Sequence, residues 1–260
     1  MSHAAIRNIL VKGAGSGIGR AVARQFHQAG HRLALLDYDR PSLEKLQSEL
    51  EGASPIRLYE TDISDAAQVE TACQDLLHHW ATIDVVVANA GVNGQWAPLD
   101  ELEVDQWRRT LAINLNGTFY TIKFALPGLK KRGGAVVVTS SINGVRVFSS
   151  GGATAYSASK AGQVGMAKML ALELAPHKIR VNVVCPGAID TEIDQSTERT
   201  DLDRARQPVE YPAGVVPLNE GNPGSAEQVA EVICYLCSDQ ASLVTGSVVF
   251  VDGAESLLQG

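Results

Sequence analysis

The stretch that decides the fold is ILVKGAGSGIG, residues 9–19. A strand-like apolar run, Ile6–Lys12, enters a turn with glycines at 13, 15, 17 and 19, and helical spacing follows over Ile18–Ala29. Glycine permits unusual backbone angles and lets a ligand approach the chain closely. The N-terminus of the following helix offers free N–H groups to an anion. Strand, glycine-rich turn and helix together predict a pyrophosphate site, whereas the glycines alone would equally suit an ordinary tight turn.

Short apolar runs and helical patterns alternate through the rest of the chain. Further strands are predicted at Arg32–Leu36, Ile56–Tyr59, Val85–Ala88, Ala135–Thr139, Val181–Val184 and Val248–Val251. Helices are predicted at Pro41–Leu50, Ala66–Trp80, Val104–Leu126, Tyr156–Leu174 and Ala226–Cys237. Continuous Val/Ile/Leu-rich strands are typical of a parallel sheet that is covered on both faces. The pattern predicts an α/β fold: one Rossmann-type domain over residues 1–260, with a doubly wound parallel sheet of about seven strands.

Composition excludes several classes of protein. The chain has 260 residues, 45% of them hydrophobic, and a formal net charge of −7. An acidic chain without a Lys/Arg block lacks the positively charged surface that binds nucleic acid or an anionic membrane. It also has no apolar run near the roughly 20 residues that span a bilayer, and no signal-peptide layout at its start. Four scattered cysteines fit a reducing compartment. We therefore expect a cytoplasmic protein without nucleic-acid or membrane partners.

The sequence gives no sign of a metal site. The pair Cys234 and Cys237 has CxxC spacing, but it lies in a helical pattern without a second ligand pair, so helix packing is the simpler interpretation. None of the six histidines joins a carboxylate or cysteine at ligand spacing.

An irregular segment, 190–224, interrupts the pattern before the last helix. It is charged and contains Pro208, Pro212, Pro217 and Pro223. Long loops inside compact domains are usually functional or mobile. We interpret residues 190–224 as a substrate lid.

A carboxylate ends the second strand. Asp37 lies 18 residues after Gly19, where it can accept hydrogen bonds from adenine-ribose hydroxyls and repel the 2′-phosphate of NADP. The alternative is a solvated aspartate, and Arg40 and Lys12 could partly offset the repulsion. The residues favour NAD over NADP.

A tyrosine and a lysine share one face of a helix. Tyr156 and Lys160 are four residues apart in a helical pattern. An unaided tyrosine, with a pKa near 10, is a poor base at neutral pH, and a nearby ammonium lowers that pKa. The pair suits proton transfer from an alcohol, although such pairs also occur on helix surfaces without function. Ser141, after a strand, supplies a hydroxyl that can bond the substrate oxygen, and its neighbour Ser140 is the alternative.

The ordered motifs resemble the short-chain dehydrogenase/reductase family. They are Gly13-x3-Gly17-x-Gly19, Asp62-Ile63, Asn89-Ala90-Gly91, Asn114, Tyr156-x3-Lys160 and Pro186-Gly187. The resemblance covers essentially the whole chain. The resemblance implies catalytic roles for Asn114, Ser141, Tyr156 and Lys160, with Asn114 holding a water that links the lysine to solvent. Asn116 is a weaker candidate for that role. One departure is Lys12, where the family usually has a threonine that ties the first strand to the Asn-Ala-Gly segment.

The resemblance also implies a set of cofactor-binding residues. In this numbering they are Gly13, Ser16, Gly17, Ile18, Gly19, Asp37, Asp62, Ile63, Asn89, Ala90, Gly91, Tyr156, Lys160, Pro186, Gly187, Ile189 and Thr191. Asp62 would bond the adenine amino group with Ile63 beside the ring, while the segment from Pro186 to Thr191 would meet the nicotinamide.

The loop before the tyrosine differs from the family pattern. The usual spacing would place the catalytic serine at Asn143, so a two-residue insertion within Ile142–Thr154 is inferred, with Ser141 as the serine. Asn143 then becomes a candidate substrate contact together with Trp96 and Glu192. Phe148, Glu210 and Tyr211 complete the mixed polar and aromatic lining that we expect.

The residues and the resemblance together predict an NAD-dependent oxidoreductase. It would exchange a hydride with a secondary alcohol or ketone, with sugars, polyols and small cyclic alcohols favoured. The alternatives are an NADP-dependent 3-oxoacyl-thioester reductase and a non-catalytic cofactor-sensing protein. Family members are commonly homotetramers, which the apolar C-terminal residues 248–260 would permit.

Overall fold

The computed structural model describes residues 6–50, 52, 54–205 and 215–258. The strands are β1 (Asn8–Lys12), β2 (Arg32–Asp37), β3 (Ile56–Glu60), β4 (Val85–Ala88), β5 (Gly94–Trp96), β6 (Gly134–Thr139), β7 (Ile179–Pro186), β8 (Thr197–Arg199) and β9 (Val248–Val251). Seven of them form a parallel sheet in the order β3-β2-β1-β4-β6-β7-β9. The helices are α1 (Gly17–Gln28), α2 (Arg40–Glu49), α3 (Ala66–Trp80), α4 (Val104–Leu111), α5 (Gly117–Leu129), α6 (Thr154–Leu174) and α7 (Ala226–Cys237).

Helices bury both faces of the large sheet. Side chains alternate between the two faces along each strand, so each central strand supplies residues to two hydrophobic clusters. One cluster packs α3, α5 and α6 against the sheet, and the other packs α1 and α7. The central strands are therefore apolar throughout, as in β4, whose four residues are all buried. The Rossmann-type single layer of parallel strands is confirmed.

Two parts of the chain differ from the sequence-based prediction. The helix predicted over Val104–Leu126 is divided: α4 and α5 are separated by a π-helical turn, Ala112–Asn116, and α5 continues to Leu129. The strands β5 and β8 were not predicted, because three-residue strands are too short to show a period. They form a separate two-stranded parallel sheet that joins the segment after β4 to the predicted lid.

The large sheet brings distant residues to one edge. Parallel strands all point the same way, so their carboxyl ends meet at the same side of the domain. Lys12, Asp37, Ala88, Thr139 and Pro186 end five of these strands. This edge is where ligands bind in open α/β sheets.

The glycine turn after β1 packs against its neighbours without room for side chains. A methyl group on Gly13 would lie 2.6 Å from Ala90, and one on Gly19 would lie 1.8 Å from the Gly13 carbonyl oxygen. Gly13 also has a φ of +75°, which favours glycine. The turn therefore joins β1, α1 and the end of β4 through backbone contact.

We expect Gly19→Ala to destabilise the fold by more than about 2 kcal/mol, because the added methyl group would collide with backbone. The matched control is Gly165→Ala on α6, where an added methyl group meets nothing within 4 Å. Within one subunit that substitution should stabilise by roughly 0.5–1 kcal/mol, the usual difference between alanine and glycine inside a helix. Because Gly165 shares its face of α6 with Met169 and Leu172, both variants are compared at one protein concentration. Thermal and denaturant unfolding would measure both. Equal stability of the two variants would contradict the close packing.

Candidate active site

The N-terminus of α1 is open toward the edge of the sheet. Ser16 precedes the helix in an extended conformation, and its side chain makes no capping hydrogen bond. The N–H groups of the first turn therefore lack a side-chain acceptor, and they carry the positive end of the helix dipole. Together with the glycine turn, this arrangement suits a pyrophosphate group.

Asp37 lies beside the glycine turn. Its Oδ2 accepts a hydrogen bond from the Gly15 amide at 2.9 Å, and its Oδ1 accepts one from the Asp39 amide at 3.2 Å. The two basic residues considered as counter-charges are engaged elsewhere. Arg40 Nε pairs with Glu44 at 2.8 Å, and the buried Lys12 Nζ donates to Thr118 Oγ1, so neither cation is paired with Asp37 in the described part of the chain.

The segment Asn89–Gly91 follows β4 and lies against the glycine turn. The Ala90 amide donates to the Lys12 carbonyl at 3.0 Å, and Asn89 Nδ2 donates to the Gly13 carbonyl at 3.4 Å. These bonds tie β1 to the segment although the family's usual threonine is absent. In the part of the chain that the structure describes, the buried Asn89 Oδ1 has no hydrogen-bond partner. Because a buried unsatisfied acceptor is costly, this atom is suited to accept from a ligand hydroxyl.

The next pair lies at the turn after β3. Asp62 Oδ1 accepts from the Ser64 amide at 2.9 Å and from its hydroxyl at 2.7 Å. Ile63 is buried, and its carbonyl oxygen would lie 2.8 Å from a methyl group on Gly117. The two residues are thus fixed at the edge where the resemblance puts the adenine ring.

The segment after β7 is held from two sides. The Gly187 amide donates to the Val251 carbonyl at 3.1 Å, and the Ala188 amide donates to a carboxylate oxygen of Glu255 at 2.6 Å. Ile189 forms an isolated parallel bridge with Gly224. Sequence reasoning missed Glu255 because its role is to bond a backbone amide, which leaves no motif. Burial raises the pKa of this carboxyl group.

Thr191 and Glu192 follow and lie close to the glycine turn. A methyl group on Gly17 would lie 3.1 Å from Thr191 Cγ2 and 3.8 Å from Glu192 Oε2. The structure thus brings Thr191 to the proposed cofactor site. It places Glu192 beside that same turn.

Ser141 and Tyr156 meet at the ends of β6 and α6. Both side chains are buried. Burial raises the pKa of the Tyr156 phenol, and a hydrogen bond with the Ser141 hydroxyl lowers it in part. The structure therefore brings a hydroxyl donor and a candidate acid–base group to one point.

Lys160 lies one helical turn after the tyrosine. Its Nζ donates to the Thr139 carbonyl at 3.0 Å and lies 5.5 Å from the centre of the Tyr156 ring. Burial lowers the pKa of this ammonium to about 8. The Ser140 hydroxyl donates to the Lys160 carbonyl at 2.9 Å, so Ser140 joins β6 to α6 while Ser141 faces the tyrosine.

Asn114 lies in the π-helical turn and is fully buried. Its Oδ1 accepts from the Val92 amide at 2.8 Å, and its Nδ2 donates to the Val92 carbonyl and to the Ser159 hydroxyl. A methyl group on Gly91 would lie 3.0 Å from Asn114 Oδ1 and 3.3 Å from Lys160 Nζ. Both polar atoms therefore lie close to Gly91, and a side chain at this position would press on them.

The candidate substrate residues lie in different surroundings. Asn143 bonds within its own loop: its amide donates to Ser141 Oγ at 3.2 Å and its Nδ2 donates to Ser150 Oγ at 2.8 Å. The Trp96 ring lies 6.4 Å from the Tyr156 ring, and its Nε1 is buried without a hydrogen-bond partner among the described residues. Phe148 is exposed, and Glu210 and Tyr211 lie outside the described residues.

The predicted lid, 190–224, is described except for residues 206–214. It is attached to the segment carrying Trp96 by the β5–β8 pairing. Asn93 Nδ2 donates to Thr197 Oγ1 at 2.7 Å, and Arg204 pairs with Asp100 at 2.6 Å. Hydrogen bonds therefore join the lid to the strand that carries Trp96.

Within the described ranges, no group of three or more His, Cys, Asp or Glu side chains could hold a metal ion. Cys234 and Cys237 are free thiols on α7, and burial raises the pKa of both. In that same part of the chain, no helix combines the length and the apolar character needed to cross a membrane.

Comparisons with known proteins match nearly the whole chain. A family model described as enoyl-(acyl carrier protein) reductase matches residues 13–254. The 3-oxoacyl-[acyl-carrier-protein] reductase FabG of Thermotoga maritima is 37% identical, with 94% of this chain and 95% of that protein covered. Levodione reductase of Leifsonia aquatica is 34% identical, with coverage of 96% and 94%.

A solved structure extends the similarity to three dimensions. The crystal structure of a 3-ketoacyl-ACP reductase from Sinorhizobium meliloti 1021 superposes with a TM-score of 0.92 at 46% identity, covering 96% of this chain and 99% of that one. The fold, the family model and the relatives agree over nearly the whole length. The chain therefore belongs to the short-chain dehydrogenase/reductase family and is an NAD(P)-dependent oxidoreductase acting on CH–OH and ketone groups.

Proposed function

We propose that this enzyme is an NAD-preferring dehydrogenase that interconverts a secondary alcohol and its ketone. The observation that carries the proposal is the buried cluster of Ser141, Tyr156 and Lys160 at the edge that also holds Asp37. The cluster supplies proton transfer beside the nicotinamide site, and Asp37 selects the nucleotide. A sensing protein without catalysis would have no need for the complete cluster.

The residues present suit a bound dinucleotide. The open N-terminus of α1 and the glycine turn would take the pyrophosphate, and the unpartnered Asn89 Oδ1 would accept from a ribose hydroxyl. Lys160 would hold the nicotinamide ribose, and Ile189 and Thr191 would meet the nicotinamide group. When bound, the nicotinamide supplies the hydride acceptor or donor.

The protein's own groups handle the proton. The alcohol oxygen would lie between the Ser141 hydroxyl and Tyr156, and the phenolate oxygen accepts its proton as the hydride leaves. Lys160 favours the phenolate through its positive charge. The proton would then leave through Lys160 and a water held near its Nζ and Asn114, two groups that lie together beside Gly91. Ketone reduction follows the same path in reverse.

The substrate class follows from the groups around the tyrosine. The Trp96 indole lies beside Tyr156, and Asn143 orients the Ser141 hydroxyl, so the pocket combines a flat apolar wall with hydrogen-bonding groups. We favour a sugar, a polyol or a small cyclic alcohol. A second candidate, reduction of 3-oxoacyl thioesters, is favoured by the similarity to the Thermotoga and Sinorhizobium proteins, which are named 3-oxoacyl-[acyl-carrier-protein] and 3-ketoacyl-ACP reductases.

We also propose a cytoplasmic homotetramer. Apolar side chains are exposed on α5 and α6, where Phe119 is 44%, Met169 70% and Leu172 78% exposed. Contact between copies through these helices would remove that surface from water. Light scattering would distinguish a tetramer from a monomer or dimer.

The test of the function is the absorbance of reduced nicotinamide. Purified protein would be mixed with NAD or NADP and with sugars, polyols, cyclic alcohols or hydroxyacyl thioesters. Turnover of an alcohol from the first three classes with NAD supports the proposal. Turnover of thioesters with NADP would favour the second candidate, and cofactor binding without any turnover would favour the sensing protein.

We expect Tyr156→Phe to lower kcat by about 10³-fold or more while NADH binding is retained, because only the proton-transferring oxygen is removed. Steady-state kinetics and fluorescence titration with NADH would measure the two effects. Tyr235→Phe on α7, remote from the site in the chain's fold, is the control and should leave kcat unchanged. Normal turnover of the Tyr156 variant would remove this residue from the mechanism.

Alcohol oxidation should accelerate as the pH rises from 6 to 9, and ketone reduction should slow. Burial raises the pKa of Tyr156, so the phenolate that accepts the proton forms only toward alkaline pH. Lys160→Met should move the rise to higher pH because the ammonium that favours the phenolate is lost. Lys168→Met, at an exposed lysine on the same helix, is the control. Identical profiles for the two variants would contradict the role of Lys160.

Asp37→Ala should raise the ratio of kcat/KM for NADP to that for NAD by about 10-fold or more, because a negative charge beside the 2′-phosphate is removed. Asp37→Asn keeps an acceptor for the Gly15 amide and separates the effect of charge from that of the hydrogen bond. An unchanged ratio in both variants would exclude Asp37 from nucleotide selection.

A further inference from the structure

Lys12 is the buried ionisable group that the proposed chemistry leaves unused. It ends β1, is 0% exposed and, among the described residues, takes part in no ion pair. Removing an ammonium from water without a counter-charge is costly, and most buried lysines are destabilising for this reason. Burial and the charge of Lys160 lower the pKa of Lys12 to about 7. An apolar residue of similar length would fill the same volume without this cost.

The amine of Lys12 makes one direct contact that leads to the active site. Its Nζ donates to Thr118 Oγ1 at 3.0 Å, and the Thr118 hydroxyl in turn donates to the Asn114 carbonyl at 2.7 Å. Gln163 Nε2 donates to both acceptors, at 3.0 Å to Thr118 Oγ1 and at 2.8 Å to the Asn114 carbonyl. The threonine hydroxyl thereby uses its donor and both of its acceptor sites.

The carbonyl that receives these bonds belongs to an irregular turn. Asn114 lies within the π-helical turn Ala112–Asn116, where the regular hydrogen-bond pattern of α4 and α5 is interrupted. Its side-chain oxygen and Lys160 Nζ both lie close to Gly91. The position of Asn114 Oδ1 depends on the bonds of its side chain to Val92 and Ser159 and also on how firmly its own backbone is held.

We propose that Lys12 is a positioning residue of the proton-release path, acting through Thr118 on the backbone of Asn114. The inference rests on the proposed function, because it concerns how that reaction releases its proton. Loss of the amine would leave the Thr118 hydroxyl with one acceptor site empty and the turn less firmly held. Asn114 Oδ1 would then define the water site beside Lys160 less well.

The experiment compares Lys12→Met, Thr118→Val and the double variant with the wild-type enzyme. We expect each single variant to lower kcat about 10-fold, to raise the solvent deuterium isotope effect on kcat, and to leave KM for NAD unchanged. Because both residues act along one chain of bonds, the double variant should lose about 10-fold and not about 100-fold. Thr121→Val is the control, since Thr121 is also buried on α5 but bonds only the Gly117 carbonyl.

A second readout does not require turnover. Hydrogen exchange of the peptide covering residues 112–121 should be faster in Lys12→Met and Thr118→Val, with NADH binding retained. Unchanged exchange, additive losses of kcat or an unchanged isotope effect would overturn the role of Lys12. A wild-type enzyme without turnover would instead overturn the proposed function, while faster exchange in both variants would still support the link from Lys12 to Asn114.

Discussion

The active site depends on how closely the backbone after β1 approaches its neighbours. Gly13 touches Ala90 and the backbone of Gly19, so the glycine turn, the start of α1 and the end of β4 share contacts that leave no room for a side chain. Because β1 lies between β2 and β4 in the sheet, this packing also fixes where Asp37 and Asn89 stand relative to the turn. The shape of this edge of the sheet is therefore set by backbone packing, and the side chains add the chemistry.

The chemical half of the site depends on burial. Tyr156, Lys160, Asn114 and Lys12 are all removed from water, and two of them carry ammonium groups whose pKa values are lowered. A low-dielectric setting strengthens the effect of each charge and hydrogen bond on the groups beside it. The same setting makes every unsatisfied polar atom costly, which explains why backbone carbonyls of Thr139 and Asn114 are used as acceptors. Stability and chemistry are therefore opposed in this region, as is common at enzyme sites.

The fold was predictable where the hydrophobic periodicity extends over a whole helix or strand. Strongly periodic segments such as Ala66–Trp80 and Ala226–Cys237 were predicted with the boundaries that the structure has. The Tyr156/Lys160 pair was predictable because four-residue spacing fixes a shared helix face. The π-helical turn could not be predicted, since Val104–Leu126 has one continuous helical pattern, and the Asn114 carbonyl in the turn accepts from Gln163, which lies 49 residues away. Glu255 and the burial of Lys12 were missed for a related reason: their partners are a backbone amide and a distant hydroxyl, which leave no trace in local sequence.

The small sheet of β5 and β8 joins two segments about a hundred residues apart. One strand carries Trp96 next to the acid–base tyrosine, and the other belongs to the lid, so a shift of either strand displaces its partner. Any substrate selectivity that depends on the lid therefore depends on both segments together. During divergence, a lid of new length or sequence must arise together with compensating changes around Asn93 and Gln95, whose side chains bond the lid. An exchanged lid without Thr197 and Thr200 would lose the side-chain bonds from Asn93 and Gln95, and with them part of the link between the two strands.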